Sequence, residues 1–263
     1  MMDKDLNVFS KAYDLPGGEV EVPAIDADEF RKVVHSRRSV RVFDGTPVPE
    51  AAMREILDIG LLAANSSNLQ SWEFYWARSP EKKAAVVEAC LSQPAAKTAA
   101  ELVVCVARTE TWKRSAKLML KRFDEEEKSG KKVPAPVRSY YSHLVPLAYG
   151  QGPLGVMGLI KKIIVFFRGL SAPTPREPTS YSQMRTWAVK TTALACQNIM
   201  LAARALGYDS CPMEGCDSRR IAKILDLPSD AVFVMVISIG KRKIEGIYGP
   251  RIRFDKSLFV HEV

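Results

Sequence analysis

The sequence predicts a layered domain in which helices cover a sheet, α+β or α/β in class, on three observations. Residues 102–107 (LVVCVA) and 231–240 (AVFVMVISIG) are continuously apolar and rich in β-branched side chains, as strands buried on both faces are. Residues 187–206 (WAVKTTALACQNIMLAARAL) are apolar nearly all round and rich in alanine, which suits a helix buried on most faces. Helical patterns separate most of the strand-like runs. No repeat, low-complexity tract or linker divides the chain, so residues 1–263 are read as one three-layer domain.

The elements follow in order. The start, MMDKDLNVFSKAYDLPGG, is polar and lacks the apolar core of a signal segment. Residues 26–36 fit a helix with Phe30, Val33 and Val34 on one face and Asp26 as N-cap. RRSVRVF (residues 37–43) then leads into a turn at Gly45, Pro47 and Pro49. Met53, Ile56, Leu57, Gly60, Leu61 and Ala64 recur at helical spacing over 49–64, until a polar knot at 65–71 (NSSNLQS) breaks the pattern. Residues 72–77 form an aromatic-rich strand, 80–91 a helix and 102–107 the buried strand. From about 110 to 180 the pattern is least regular: a charged helix over 112–128, a Gly/Lys/Pro break, then the apolar and basic run 154–170 (LGVMGLIKKIIVFFRGL). After the helix at 187–206, Gly207 is a C-cap, and Tyr208 to Cys211 start a short strand that Pro212, Met213, Glu214 and Gly215 break. Residues 218–227 form a short helix capped by Ser218, 231–240 the strongest strand, and 257–263 (SLFVHEV) a second β-type segment.

Composition narrows the function. Hydrophobic residues at 47% and charged residues at 26% are ordinary for a soluble globular protein. Five scattered cysteines without a CxxC pair and three separated histidines (His35, His143, His261) offer no zinc constellation, and a reducing cytoplasm is expected. An excess of 38 bases over 30 acids favours nucleic acid, a membrane surface or phosphorylated small molecules. No basic stripe studded with aromatics is present, so no nucleic-acid partner is expected. GxSxG, HExxH and Walker motifs are also missing, which points to a bound cofactor that brings its own reactivity.

Four segments could bind one. Arg37, Arg38, Ser39 and Arg41 carry guanidinium forks and a hydroxyl suited to phosphate oxygens. Arg251 and Arg253 alternate at strand spacing, point to the same side, and could complete a clamp on one phosphate. The loop with Ser66, Ser67, Asn68 and Gln70 offers donors and acceptors to a pyrimidine-like edge. Pro212, Met213, Glu214 and Gly215 could hold backbone N–H groups at fixed positions. Each also has a plainer reading: solvated basic runs, a helix stop, an ordinary turn.

The four together, in this order, resemble the FMN-binding pattern of the nitroreductase superfamily: an RxSxRxF-type start, an SSxNxQxW loop, a PxEG loop after a long buried helix, and a basic pair near the end. The likeness spans residues 30–77 and 186–263, about half the chain. It implies a three-layer fold with a central, mostly antiparallel sheet flanked by helices, and a C-terminal strand exchanged across a homodimer. It implies that Arg37, Arg38 and Ser39 hold the FMN phosphate and ribityl chain, that Arg41 and Asn68 approach the pyrimidine end beside Ser66, Ser67 and Gln70, and that Glu214 or Gly215 gives a backbone N–H to N5. Arg251 and Arg253 would return to the phosphate, and the Asn68 and Glu214 loops around one flavin would come from different subunits. Two departures stand out: the family's proline before the two serines is Asn65 here, and its proline before the tryptophan is Ser71.

The implied activity is ping-pong: NAD(P)H reduces FMN by hydride transfer to N5 and leaves, and a nitroaromatic, quinone or similar electrophile then takes the electrons. Alternatives are reductive dehalogenation or flavin fragmentation on the same fold, or a non-catalytic basic module that binds membrane or nucleic acid. Residues 110–180 match no motif and are read as a variable lid that shapes the substrate pocket. Within them, 154–170 forms either a lid helix with its lysines in solvent or a helix at the bilayer interface, where a lipophilic quinone becomes an attractive acceptor. Trp112, Tyr140 and Tyr141 read either as walls of an aromatic pocket or as packing.

Overall fold

A computed structural model describes residues 23–263; the reading of the polar N-terminus lies outside them. Strands β1 (Trp72–Trp76), β2 (Glu101–Arg108), β3 (Asp209–Met213) and β4 (Ala231–Gly240) form an antiparallel sheet of order β1-β2-β4-β3. The two continuously apolar runs are thus its central strands, as burial on both faces requires. On β2, Val103, Cys105 and Ala107 enter one core, while Leu102, Val104 and Val106 enter the other. Cys105 pairs with Met235 and Val106 with Phe233, so Val234 is the extra residue of a bulge. That bulge puts Val232 and Val234 on the face that also carries Met235, Ile237 and Ile239.

The first core lies under α2 (Glu50–Leu61), α5 (Trp112–Lys128) and α9 (Tyr181–Ala205). The second lies under α3 (Pro80–Ala89), α4 (Pro94–Lys97) and α10 (Ser218–Ile224). The result is helix, sheet, helix: three layers in the α+β class. Helix α1 (Ala27–Ser36) begins at Asp26, whose carboxylate accepts from the N–H groups of Asp28 and Glu29, but none of its residues is buried.

Several elements differ from the sequence reading. Helix α9 starts at Tyr181, where Ser180 caps it by accepting from the Gln183 N–H; its first turns are polar, so periodicity alone missed them. It is also open along one stripe, through Lys190, Ala193, Leu194 and Gln197. Asp217, not Ser218, caps α10, accepting from Arg219 and Arg220. Strand β3 is not broken at Pro212 but runs on to Met213, because it is the outer strand and a proline there sacrifices no ladder bond on its free side. Residues 257–263 form no strand: Lys256–Leu258 is a 3₁₀ turn and the tail is exposed, paired with no strand among the described residues.

The region from 110 to 180 is helical rather than irregular. Helices α6 (Ala135–Ser139) and α7 (Val145–Tyr149) are joined by a π turn at Tyr140–Leu144. Pro136, in the Gly/Lys/Pro segment read as a break, sits in the first turn of α6, where a missing N–H costs little. Helix α8 (Val156–Arg168) follows a 3₁₀ turn at Pro153–Gly155. Its Lys161 is not in solvent but 7% exposed. Among the described residues no single helix is long and apolar enough to cross a membrane.

Two contacts fix the frame. Gly60 lets α2 approach α9: a Cβ there would lie 2.5 Å from Cγ1 of the fully buried Ile199. Arg108 joins the ends of three elements, donating to Asp230 (Nη2, 2.8 Å) before β4 and to Glu73 on β1. Gly60→Val is expected to destabilise the fold by about 1–3 kcal/mol through overpacking, read as a lower denaturant midpoint at unchanged m value. Burial by itself raises the Asp230 pKa; hydrogen bonds from Arg108 and the Glu110 N–H outweigh it and hold the carboxyl below the ordinary aspartate value. A group depressed in this way contributes stability above its unfolded-state pKa and loses it as pH falls through the lower folded-state value. Urea midpoints measured from neutral pH to about pH 2 should therefore fall less steeply in Asp230→Asn than in the parent.

Candidate functional site

Residues from both ends of the chain meet at the free edge of β3. The Val40 N–H donates to the Ser210 carbonyl at 3.0 Å, and the Arg41 N–H donates to the Gly246 carbonyl at 2.8 Å. Gly246 has to be glycine for this approach, since a Cβ there would lie 2.4 Å from the Val42 carbonyl oxygen. Val40 and Phe43 bury their side chains beneath the segment. Above it lies a cleft of about 220 Å³ lined by Arg37, Arg38, Ser39, Arg41, the turn at Tyr248–Gly249, Arg251 and Arg253.

The arginines are organised by carbonyls rather than carboxylates. Arg38 donates to the Gly249 carbonyl, Arg251 to those of His35 and Arg37, and Arg253 to that of Ile252. Arg41 lies over the Tyr248 ring, 5.2 Å from its centroid. Among the described residues no carboxylate pairs with any of these five guanidinium groups. Burial, then the charges of Arg251, Arg253 and Arg38, push the Arg37 pKa below the ordinary arginine value. Such uncompensated positive charge favours an anion with several acceptor oxygens, and a phosphate monoester fits. Arg251 and Arg253 reach this cleft from irregular backbone, not from the strand their spacing suggested.

The loop at 65–70 lies elsewhere in the same chain. It lines a second cavity of about 420 Å³ with Tyr140, Leu144, Leu147, Tyr149, Ile164 and Val165. Ser67, Asn68 and Gln70 all have positive φ (56°, 49° and 46°), which side chains tolerate only when held there. The holding groups are visible. Asn65 Oδ1 accepts from the Gln70 N–H at 2.9 Å, so this residue stiffens the loop by a hydrogen bond where the related pattern has a proline ring. Tyr149 OH bonds Ser66 Oγ and Ser67 Oγ at 2.9 and 3.2 Å, Tyr140 OH bonds Ser67 Oγ, and Tyr141 OH donates to the Ser67 carbonyl. Asn68 is exposed, accepting from Gln70 Nε2 and donating to Met119 Sδ.

Pro212 and Met213 end β3, while Glu214 and Gly215 are exposed and line neither cavity. Beyond them the Cys216 thiol lies 3.3 Å from that of Cys90; this hydrogen bond lowers the Cys216 pKa against the effect of burial. One chain therefore assembles the arginine set and leaves the polar loop and the Glu214 turn apart from it. Sequence reasoning missed Tyr149, whose role depends on tertiary contact alone. It missed Tyr248 too, although its place three residues before Arg251 was a usable signal.

Comparisons with known proteins agree with this architecture. A family model described as "Nitroreductase family" matches residues 34–241. A protein named NADH dehydrogenase from Thermus thermophilus is 26% identical over 90% of this chain and 97% of its own. A 4-nitrobenzoate reductase from Pseudomonas putida is 29% identical over 72% of this chain and 74% of its own. A candidate nitroreductase from Exiguobacterium sibiricum, solved in complex with FMN, superimposes with a TM-score of 0.64 at 24% identity, covering 92% of this chain and 99% of that one.

The cleft makes a prediction independent of any cofactor. Inorganic pyrophosphate should raise the melting temperature more than sodium chloride at equal ionic strength. Arg37→Ala or Arg251→Ala should weaken that binding about 10- to 100-fold, as expected for losing a charge-assisted hydrogen bond. Equal shifts with both salts would show a cleft without anion preference.

Proposed function

The chain belongs to the nitroreductase family, and from that premise we propose that it is an FMN-dependent oxidoreductase passing electrons from NAD(P)H to small electrophilic acceptors such as nitroaromatics and quinones, as a homodimer with two flavin sites. The arginine cleft carries this reading: it gathers five guanidinium groups with no carboxylate among the described residues to neutralise them, which would suit a phosphate. Bound FMN would supply two-electron chemistry that side chains lack.

The chain's own share is to bind, orient and polarise. Arg37, Arg38, Ser39, Arg251 and Arg253 would hold the phosphate and ribityl chain. Arg41, steadied by Tyr248, would place a fixed positive charge towards the pyrimidine end. Ser66, Ser67, Asn68 and Gln70 would offer amide and hydroxyl groups to the polar ring edge. Pro212 and Met213 would aim the turn that follows, so that the backbone N–H of Glu214 or Gly215 meets N5. No side chain is assigned as a general acid or base.

Two observations support the dimer. The polar loop and the arginine cleft line different cavities of one chain, and a second copy would let the loop of one subunit meet the cleft of the other. Phe30 and Val34 on α1, Leu61 and Leu62 at the end of α2, Leu194 on α9, and Phe254, Phe259 and Val260 in the tail are exposed apolar residues that such a copy would cover. The tail would then find across the interface the strand partner it lacks in its own chain. The names of the Thermus thermophilus and Pseudomonas putida relatives support the reductant and the acceptor class, and the FMN complex supports the cofactor.

An absorption spectrum before and after anaerobic NADH and NADPH tests the whole reading. Flavin bands that bleach promptly are expected, and Arg253→Ala should weaken FMN binding about 10- to 100-fold. Bands that persist with both nucleotides would move the activity to another flavin reaction. No flavin uptake from added FMN would overturn the proposal.

A further inference from the structure

Helix α8 reverses the usual orientation of a surface helix. Gly158 and Lys161 face the protein, while Val156, Leu159, Ile160, Ile163, Phe166 and Phe167 face out. At about 100° per residue these six fall within an arc of about 120° that contains no charge. Lys162 borders one side of the arc and Arg168 the other. The inward face has no room for bulk: a Cβ on Gly158 would lie 2.5 Å from Gln151 Oε1 and 2.6 Å from the Thr179 carbonyl oxygen. Lys161 instead donates from Nζ to the carbonyls of Ala148 (2.8 Å) and Pro178 (3.1 Å). Leu154, at the tip of the preceding turn, is 99% exposed, and Leu170 beyond the helix is exposed as well.

We propose that this face docks on an anionic lipid bilayer, with α8 lying in the interface plane. An apolar arc flanked by bases is the pattern of interfacial helices, with the arc among acyl chains and the bases at the headgroups. Charge favours lipid over a second copy. From Ser139 to Met184 the only acid is Glu177, against the exposed Lys162, Arg168 and Arg176, so two such faces in symmetric contact would juxtapose like charge. The apolar surface on α1, α2 and α9 is moreover already available to a second copy.

Docking would also define the acceptor class, a part of the inference that rests on the flavin-reductase reading. The cavity lined by Leu144, Leu147, Ile164 and Val165 opens beside α8 and reaches Ser66 and Ser67, so it suits a quinone dissolved in the bilayer. The reaction balances: NAD(P)H and one proton convert quinone to hydroquinone and leave NAD(P)⁺.

Flotation of the full chain with phosphatidylcholine vesicles, with and without phosphatidylglycerol, tests the docking. Binding only to the anionic vesicles is expected. Ile163→Ser with Phe167→Ser, both outside the cavity lining, should weaken it on the order of 100-fold, and Lys162→Gln about fivefold. No flotation, or a parent dimer that the double substitution splits into monomers, would overturn the proposal and assign the face to protein contact. In an activity assay the double variant should reduce a vesicle-dissolved quinone more slowly and a water-soluble quinone at the parental rate; equal rates with both would sink the acceptor inference. If the parent reduces neither quinone, the reductase reading fails, while flotation still decides the docking.

Discussion

The free edge of β3 is the constraint on which the candidate site depends. An outer strand leaves backbone groups that must be paired, covered or solvated. Here residues 39–40 cover its start, where Ser39 bridges to Ser210, and residues 43–44 pair just beyond the end of β4, Phe43 bridging to Arg242 and the Asp44 N–H donating to the Lys241 carbonyl. This stitching brings Arg37, Arg38 and Arg41 against a chain segment more than 200 residues later. Gathering five guanidinium groups is opposed by their repulsion, about 1 kcal/mol for a pair 4 Å apart in water and more where water is excluded. Burying Val40 and Phe43 offers roughly 1.5–3 kcal/mol each, enough to offset several such pairs. The cleft can therefore stand assembled without a bound anion, its positive charge held in place by apolar anchors and backbone bonds.

What was legible in the sequence follows from what is local. The helix over 112–128 and the strand over 231–240 were read to the residue, because one has clean amphipathic spacing and the other an unbroken apolar run. That the two arginine groups meet in one cleft answers the expectation of a clamp, which stood beside the plainer reading of solvated basic runs. The start of α9, the Asp217 cap and the continuation of β3 through Pro212 were not. Each depends on a partner or a sheet position that local spacing does not carry. Lys161 is the clearest case. A lysine in an apolar helix reads as the exposed edge, yet this one is the inward residue because two carbonyls wait for it.

The region from 110 to 180, in which no motif was read, also holds the polar loop in place. Tyr140, Tyr141 and Tyr149 come from the interrupted helix at 135–149, and together they fix the loop at Ser66 and Ser67. Two of these hydroxyl-bearing rings come from the π turn at Tyr140–Leu144 and the third from the end of α7. Phe123 on α5 packs edge-on against Tyr141, and Trp187 on α9 against Tyr149, so the loop's unusual backbone is carried by the core. Changing the sequence of this region would therefore alter the shape of the larger cavity and the conformation of the polar loop together.

Helix α8 completes this line of contacts. An ammonium group placed in the protein interior without partners would cost several kcal/mol. Ala148 lies in the last turn of α7, where carbonyls lack helical partners and the helix dipole presents negative charge, so its oxygen is a favourable place for Lys161. Burial still lowers the lysine pKa, so the two carbonyls compensate its desolvation only in part. The position that the lysine secures is specific. Lys161 anchors α8 through polar bonds to the residue next to Tyr149, Arg176 donates to the carbonyls of Val165 and Gly169 at its far end, and the arc from Val156 to Phe167 stays exposed. A helix held by apolar contacts would have buried that face. One held by polar bonds such as these can turn it outward and still remain tied, through Ala148 and Tyr149, to the loop that lines the cavity.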